Sequence, residues 1–540
     1  MGSVTIVTKA ERFLVGTKYD PELLKGKYDA IVIGSGIGGL TTAALLSQSG
    51  KRVLVLERHY MAGGFTHAYK RRGYEWDVGV HYIGGLENPR STLRRLFDHI
   101  SEGRLEWAQI TEDPYDRILI AGESYDYVRG LEPFREQMKE YFPSESRAIE
   151  KYLQLAFEVG RSSRSFFSNK ALPPLLARIM QPLTRGKFQR LAERTTGEVI
   201  SELSGDRRLL GVLTGQWGDY GLPPGQSSFA MHAMLVCHYM NGASYPVGGA
   251  SSIARSIEPT ILAQGGELLT SAEVERVLVN RGRAVGVRLT DGVEIEAEDV
   301  ITGIGVFNTI EKLLEPQDAK RIGYSQKLKN VERSLSHVCL YIGLRESAQS
   351  LGLRQTNLWI YPGYDHDANV RRYMEDPDTH LPLVYISFPS AKDPDWERRY
   401  PNRSTIEVIS AGPYEWFSKW RDTPWRKRGE EYLTLKNRLS ERMLNVLYAA
   451  VPQVKGKIDF CELSTPLSTR HFTGYEEGEI YGVSHTPARF RQHWLRPRTP
   501  LKHFFLTGQD IATDGVAGAL MSGVLTASTI LKRNLLKQVP

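Results

Sequence analysis

A glycine-rich turn near the start of the sequence constrains the fold of this chain more than any other feature. Residues 28–33 form an apolar run that leads into the pattern G-S-G-I-G-G at 34–39. A helix-like segment follows, and a second apolar run at 52–56 ends on Glu57. This order of strand, turn, helix, strand and acidic residue is typical of the βαβ unit that binds a dinucleotide.

Each glycine of the pattern has its own task. Gly34 allows the tight turn, Gly36 lets the backbone approach a pyrophosphate, and Gly39 lets the helix pack closely on the strand. The helix N-terminus offers unpaired N–H groups to the phosphates. Glu57 lies 23 residues after Gly34, where a carboxylate can accept a hydrogen bond from a ribose hydroxyl. With the glycine pair Gly63 and Gly64 soon afterwards, these details favour FAD over NAD.

Three separated blocks of the sequence have the pattern of one flavin-binding domain: 28–90, 241–312 and 456–536. In the second block we expect a helix at 251–264, strands at 267–269 and 274–279, a hairpin of 284–289 with 293–297 joined by an Asp-Gly turn, and a strand at 299–302. The third block predicts a strand at 504–507 and a helix at 517–536. The stretches 91–240 and 313–455 are expected to form a second, substrate- and membrane-associated domain.

The loop between the last predicted strand and helix has a role in this scheme. Asp510 follows Gly508 at the strand end, where its carboxylate could accept a hydrogen bond from a ribityl hydroxyl. The small residues that open the helix allow close approach to a planar ring, and the positive helix end would stabilise an anion on reduced flavin. The alternative is a C-terminal helix that packs on the sheet for stability alone.

Composition places the chain among globular proteins with two or three domains. It has 540 residues, of which 41% are apolar and 24% charged. It contains no run of about 18 apolar residues and no apolar leader, so we expect no transmembrane helix and a cytoplasmic location. The three cysteines, Cys237, Cys339 and Cys461, form no metal-binding pattern, and no metal is predicted.

The net charge of +7 is concentrated in one segment, 161–194. That segment carries eight basic residues and one acidic residue, so the rest of the chain is neutral overall. Apolar residues that we expect to be exposed interrupt the charges: Phe166, Phe167, Leu172, Leu175, Leu176, Ile179, Met180, Leu183 and Phe188. This pattern favours peripheral binding to an anionic membrane surface. A solvated basic helix face is the alternative, and no motif supports nucleic-acid binding.

Several motifs resemble the carotenoid and retinoid oxidoreductase family, which includes phytoene desaturases and carotenoid isomerases. They are the segments 34–64, 73–84 and 506–510, and the similarity extends over about residues 28–536. The central motifs at 218–224, 228–232, 245–249 and 388–394 are most similar to the retinol saturase branch.

The resemblance implies a Rossmann-like FAD domain of the amine oxidase and GDP-dissociation-inhibitor type, with an inserted α+β domain. It also implies a lipophilic conjugated polyene as substrate and association with membranes. The FAD contacts that it implies, joined to those predicted from the turn, are Gly34, Gly36, Gly39, Glu57, Gly63, Gly64, Val274, Gly508 and Asp510. Val274 would contact the adenine edge through its backbone.

Saturation of a polyene double bond requires a proton and a hydride. We hypothesise that protonation gives a delocalised cation, which aromatic faces would stabilise. The proton donor should lie beside the flavin, and His81 and Tyr82 are the first candidates. A second set is Tyr220, His238, Tyr239 and Tyr245. For any one of these residues the alternative is a packing or hydrogen-bonding role.

The leading hypothesis is therefore an FAD-dependent saturase of a retinoid- or carotenoid-like polyene. A carotenoid cis-trans isomerase or desaturase could use the same flavin. A different class, a non-catalytic escort of prenylated proteins, is also known on this fold. No second dinucleotide motif is present, so a quinone or a reductase partner is the expected electron source. Direct reduction by NAD(P)H at the flavin pocket is the alternative.

Overall fold

The computed structural model of the chain describes residues 13–538, with all side chains in that range except those of 174 and 181–185. In this part of the chain the strands are β1 (Thr17–Lys18), β2 (Tyr28–Ile33), β3 (Val53–Leu56), β4 (Ala68–Arg71), β5 (Tyr74–Asp77), β6 (Ile83–Gly84), β7 (Trp107–Gln109), β8 (Asp116–Ile120), β9 (Glu123–Tyr127), β10 (Ala243–Pro246), β11 (Glu267–Thr270), β12 (Val274–Asn280), β13 (Arg283–Leu289), β14 (Glu294–Thr302), β15 (His337–Leu344), β16 (Asn357–Tyr361), β17 (Val384–Ser387), β18 (Ser404–Ala411), β19 (Ile458–Ser464) and β20 (Phe504–Leu506).

The α-helices of the same residues are α1 (Ile37–Ser47), α2 (Thr92–Ile100), α3 (Leu131–Tyr141), α4 (Ser146–Ala171), α5 (Pro174–Ala192), α6 (Thr196–Ser201), α7 (Arg207–Leu213), α8 (Phe229–Tyr239), α9 (Ser251–Leu262), α10 (Val306–Asn308), α11 (Pro316–Arg321), α12 (Tyr324–Lys327), α13 (His366–Glu375), α14 (Pro389–Lys392), α15 (Trp396–Arg399), α16 (Gly429–Ala450), α17 (Pro466–Thr473), α18 (Pro487–Phe490) and α19 (Gly515–Leu531).

The first large sheet joins strands from all three sequence blocks. Its order is β1-β11-β3-β2-β14-β13-β12, and β20 also pairs with β14. The pairs from β1 to β14, and the β14–β20 pair, are parallel, whereas β13 and β12 are antiparallel additions. β2, α1 and β3 form the βαβ unit, and α1 is buried along its whole length. The α/β class predicted from the sequence is confirmed.

Strand β14 differs from the prediction of two short strands at 293–297 and 299–302. It is one continuous strand of nine residues because its first half pairs with β13 and its second half pairs with β20. Along this edge the partner of β14 therefore changes from β13 to β20 without a break in β14. The C-terminal helix also differs, since α19 begins at Gly515 and ends at Leu531, where Lys532 has the left-handed φ of 55°.

A second sheet is built mainly from the inserted segments. Its order is β19-β15-β18-β17-β16-β8-β9, and within it only the β16–β8 pair is parallel. β19 belongs to this sheet although the third predicted block begins at 456. The first strand of the block 456–536 thus belongs to the second sheet and not to the first. The predicted domain boundaries remain a prediction.

The basic segment 161–194 forms the end of α4 and most of α5. Phe166 and Phe188 are buried, and their rings stack with centroids 4.2 Å apart. The expectation that these two residues are exposed is wrong, because they join α4 to α5 through the core. Lys170 is also buried, and its Nζ donates to the carbonyl oxygen of Ile511 at 2.6 Å.

The exposed apolar side chains of this segment lie at the start of α5. Leu175, Leu176 and Ile179 are 73%, 43% and 65% exposed. Leu183 and Arg185 lie outside the described side chains. No helix in the described part of the chain combines the length and the apolar character needed to cross a bilayer.

Candidate active site

A cavity of about 510 Å³ lies at the carboxyl ends of the parallel strands. Ile33 and Leu56, the last residues of β2 and β3, contribute to its wall, as does Gly303 directly after β14. The N-termini of α1 and α19 line it from two sides, through residues such as Ile37 and Gly515. Two positive helix ends therefore face the same cavity, which suits a ligand that carries phosphates.

The glycines of the turn differ in what surrounds them. A Cβ on Gly36 would meet no atom within 4 Å, so this backbone faces open space in the cavity. A Cβ on Gly39 would lie 2.2 Å from the carbonyl oxygen of Gly34, and Gly39 therefore serves packing. Gly34 has a φ of +92°, which a residue with a side chain rarely adopts. The open space at Gly36 agrees with the predicted approach of a pyrophosphate to this backbone.

Glu57 lies in the same cavity at the end of β3. Its Oε2 accepts hydrogen bonds from the N–H of Ser35 at 2.9 Å and from Oγ of Ser35 at 2.7 Å. Its Oε1 accepts from the N–H of His59 at 2.8 Å. Since each carboxylate oxygen has two lone pairs, Glu57 retains acceptor capacity for a ribose hydroxyl. The other predicted contacts that line the cavity are Gly34, Gly36, Gly63, Gly64, Val274 and Gly508.

Asp510 is buried beside the cavity and does not line it. Its Oδ2 accepts from the N–H of Val306 at 2.7 Å, and its Oδ1 accepts from the N–H of Val483 at 2.8 Å. The carboxylate thus holds two loops of the site in place. Its predicted contact with a ribityl hydroxyl stays a prediction.

His81 lines the same cavity, together with His337, Ile409 and Tyr481. Its Nδ1 lies 2.8 Å from Oε2 of Glu407, a carboxyl with no exposed surface. Burial lowers the pKa of His81 to about 3, an effect to which the nearby Lys392 adds.

Glu407 also has an unusual pKa. Burial raises it to about 8, although Lys392 and the N–H of Asp77 act in the opposite direction. Its Oε1 accepts from that N–H at 2.9 Å. At neutral pH the pair therefore consists of a neutral imidazole and a protonated carboxyl group. Although Nδ1 and Oε2 are close, neither atom has a hydrogen-bond partner of good geometry.

Lys392 fixes the segment that carries His81. It is 2% exposed, and its Nζ donates to the carbonyl oxygen of His81 at 3.1 Å, to Oγ of Ser387 at 2.7 Å and to Oδ1 of Asn357. Burial lowers its pKa to about 8. A buried cation with three oxygen partners holds the backbone at His81 in one position.

Tyr82 does not line the cavity. Its hydroxyl donates to Oδ2 of Asp116 at 2.8 Å, with Asp219 a second acceptor at 3.4 Å, and its ring stacks on Tyr239 with centroids 4.5 Å apart. Burial raises the pKa of Tyr82 well above its usual value. The structure therefore brings His81, and not Tyr82, to the cavity wall.

The second set of predicted residues has structural partners. The Tyr220 hydroxyl lies 3.2 Å from Nδ1 of His232, and Nε2 of His238 accepts from the N–H of Gly84 at 3.0 Å. The Tyr245 hydroxyl donates to Oδ2 of Asp77. None of these three is on the cavity wall that the described residues form.

Sequence reasoning missed Glu407 and Lys392. Glu407 stands inside the apolar run of β18, and an acidic residue in a strand that is otherwise buried is a signal that could have marked it. Lys392 belongs to the motif at 388–394, but its position behind His81 depends on the packing of α14 against β18.

A glutamine at position 407 should change the pH dependence of stability. Folded Glu407 keeps its proton up to a pKa of about 8, against 4.5 for an ordinary glutamate. Its favourable contribution is therefore complete below about pH 4.5 and is lost as the pH rises through 8. We expect wild type to lose about 2–4 kcal/mol of unfolding free energy relative to Glu407→Gln between pH 5 and 8.

Thermal unfolding of both proteins across this pH range, at equal cofactor loading, measures the difference. Glu441→Gln on the exposed face of α16 is the matched control. Parallel pH profiles for wild type and Glu407→Gln would show that the carboxyl is ionised throughout.

Comparison with known proteins supports a redox cofactor in this cavity. The family model described as flavin containing amine oxidoreductase matches residues 37–531. The wild-type putrescine oxidase structure with putrescine bound has a TM-score of 0.61 over 94% of this chain and all of that chain, at 17% identity. This likeness shows the fold.

Two curated relatives cover most of the sequence. The all-trans-retinol 13,14-reductase of Danio rerio is 38% identical over 94% of this chain and 86% of its own length. The prolycopene isomerase of Arabidopsis thaliana, a chloroplast protein, is 25% identical over 86% of this chain and 76% of its own length.

Proposed function

The chain belongs to the flavin-containing amine oxidoreductase family, and from that premise we propose that it reduces a double bond of a lipophilic conjugated polyene, of the retinoid or carotenoid type. It is an oxidoreductase, its cofactor is FAD, and its resemblance to the carotenoid and retinoid oxidoreductases is confirmed. The observation that carries the substrate class is the 38% identity, along nearly the whole chain, to a relative named for reduction of retinol.

The residues of the cavity fit FAD. Open space at Gly36 and the two helix N-termini suit the pyrophosphate, and Glu57 suits the adenosine ribose. Val274 would border the adenine and Gly508 would allow close approach of the ring system. Bound FAD supplies hydride transfer.

We infer that His81 delivers the proton. Its neutral imidazole can donate from Nε2 toward the substrate while Nδ1 accepts the proton of Glu407, whose Oε2 lies 2.8 Å away, once a small rotation of the ring aligns the two atoms. The carboxyl then becomes the anion, which the nearby Lys392 ammonium stabilises. Tyr82 is the weaker candidate because its hydroxyl is already engaged by Asp116.

Anaerobic incubation of the photoreduced protein with retinoids and carotenoids tests the reaction. Mass spectrometry should find a product heavier by two hydrogens. A product of unchanged mass and altered retention would instead support the isomerase alternative, which the similarity to a prolycopene isomerase favours. Loss of two hydrogens would support the desaturase. A colourless protein that takes up no FAD would contradict the enzyme assignment and support a lipid escort.

A membrane surface is the proposed source of such a substrate. Leu175, Leu176 and Ile179 project from α5 within the segment that carries the net positive charge. Apolar side chains beside basic ones insert into anionic bilayers, where a lipophilic polyene would be dissolved. A membrane quinone, or a reductase partner, is the proposed electron donor.

The double variant Leu175→Ser, Ile179→Ser should bind vesicles of anionic phospholipid at least about tenfold more weakly than wild type, because burial of each side chain contributes about 1.5–3 kcal/mol. Co-sedimentation measures the partition. Leu262→Ser, which changes a leucine of 45% exposure on α9, is the control and should bind like wild type. Equal partition of the double variant and wild type would refute insertion of α5.

A further inference from the structure

A second cavity, of about 370 Å³, lies against the cofactor cavity. It is enclosed by β4, β15 and β19 together with the N-terminus of α16 and the end of α17. Six residues line both cavities and form the wall between them: His59, Phe65, His67, Val78, Phe472 and Thr473. The two cavities therefore adjoin along this wall.

The body of the second cavity is aromatic. Its rings come from Tyr69, Tyr341, Trp425, Tyr432 and Phe472. Trp425 and Phe472 meet edge to face with centroids 5.1 Å apart, and Tyr69 and Tyr341 do so at 4.9 Å. Such walls suit a flat, apolar, conjugated molecule.

Positive charge collects in the same cavity. The basic residues that line it are Lys70, Arg71, Arg426, Arg428 and Lys436, with one carboxylate, Glu462, which pairs with Arg71. Lys70 pairs with Glu75, which lies outside the lining. Among the described residues, no carboxylate lies within ion-pair distance of Arg426, Arg428 or Lys436. Arg428 instead covers the rings of Trp425 and Tyr432, at 5.2 and 5.1 Å from their centroids.

The neighbouring positive charges affect the pKa of Lys436. Burial lowers the pKa of its ammonium, and the positive charges of Arg428, Arg71 and Arg426 lower it further, against the opposing effect of Glu462. Since like charges repel in a partly buried site, a bound anion would relieve the repulsion.

We propose that the second cavity binds the carboxylate end of a polyene acid, whose conjugated chain is directed at the wall shared with the cofactor cavity. This proposal rests on the proposed function and narrows its substrate class to conjugated polyenes that end in a carboxylate. The aromatic body matches the polyene, and the three cations without a carboxylate partner match the end group. A complete second dinucleotide fits less well, because this cavity is smaller than the one assigned to FAD.

Two retinoids that share one polyene and differ in the end group test this inference. Quenching of tryptophan fluorescence in the FAD-loaded full chain gives the Kd of all-trans-retinoic acid and of all-trans-retinol. We expect the acid to bind about tenfold more tightly, as one charge-assisted contact provides. Lys436→Gln should remove most of this preference and change the Kd of retinol less than about twofold.

Lys427→Gln is the matched control, since Lys427 is exposed on the same segment and does not line the cavity. Arg426→Gln provides a second, exposed position if Lys436→Gln is unstable. Equal Kd values for acid and alcohol in wild type, or a preference that survives both substitutions, would overturn the proposal. Displacement of retinoic acid by ADP would also overturn it, in favour of a nucleotide phosphate.

The Kd ratio requires no turnover, so the outcome is independent of the saturase assay. If the protein prefers the acid but reduces no polyene, the carboxylate site is supported and the proposed reduction is contradicted.

Discussion

Gly36→Val is expected to yield a folded protein without FAD. The Cβ of valine would project into space that is open within 4 Å, so the protein itself does not obstruct the start of the side chain. The same space is where the pyrophosphate must approach the backbone, and the added methyl groups would occupy it. We expect the flavin content of the purified protein to fall at least about tenfold, with an unchanged circular dichroism spectrum.

Two other glycines provide the comparison. Gly39→Ala should prevent folding, because its Cβ would lie 2.2 Å from the carbonyl oxygen of Gly34. Gly205→Val, in an exposed loop with no atom within 4 Å of a Cβ, should retain both fold and FAD. Flavin absorbance per protein, measured after gel filtration, separates the three outcomes. A yellow Gly36→Val protein with wild-type flavin content would show that the turn does not contact the cofactor.

His81→Ala is expected to lower the rate of polyene reduction by about 10²- to 10⁴-fold with normal flavin content, as loss of a positioned proton donor does. Tyr82→Phe should change the rate less than about tenfold, since Asp116 keeps hydrogen bonds from Gln216, Asn357 and Trp359. Single-turnover oxidation of the reduced protein by substrate measures both effects.

The pH profile distinguishes a proton donor from a packing residue. With Glu407 holding a proton up to a pKa of about 8, the wild-type rate should decline above pH 8, and Glu407→Gln should abolish that decline. A rate for His81→Ala that equals wild type, at equal flavin content, would assign the proton to another group.

The sequence predicted that Gly34, Gly36 and Glu57 lie together because the signals that mark them are local. Gly34, Gly36 and Glu57 stand within one βαβ unit, and the chain between them has no freedom to place them elsewhere. The hairpin of β13 and β14 was likewise marked by its Asp291-Gly292 turn, where Gly292 has a φ of +90°. Each of these features depends on neighbours in sequence.

His81 was a candidate from the sequence, but its buried partners could not be predicted in this way. His81 and Glu407 are 326 residues apart, and Lys392 reaches them only through the packing of a short helix on the second sheet. Their pKa values depend on burial, which no local pattern reveals. Tyr82 illustrates the limit, since its neighbour faces the cavity while its own hydroxyl turns toward Asp116.

The pairing of β14 with β20 has a consequence for the order in which the protein is made. Val300 pairs with Phe504, which the ribosome adds 204 residues later. Until then β14 pairs with β2 along one edge. On its other edge only the first half pairs, with β13, and the second half has no partner strand. Because such edges aggregate, the nascent chain should depend on chaperones until β20 closes the gap, and FAD should bind only after this late event.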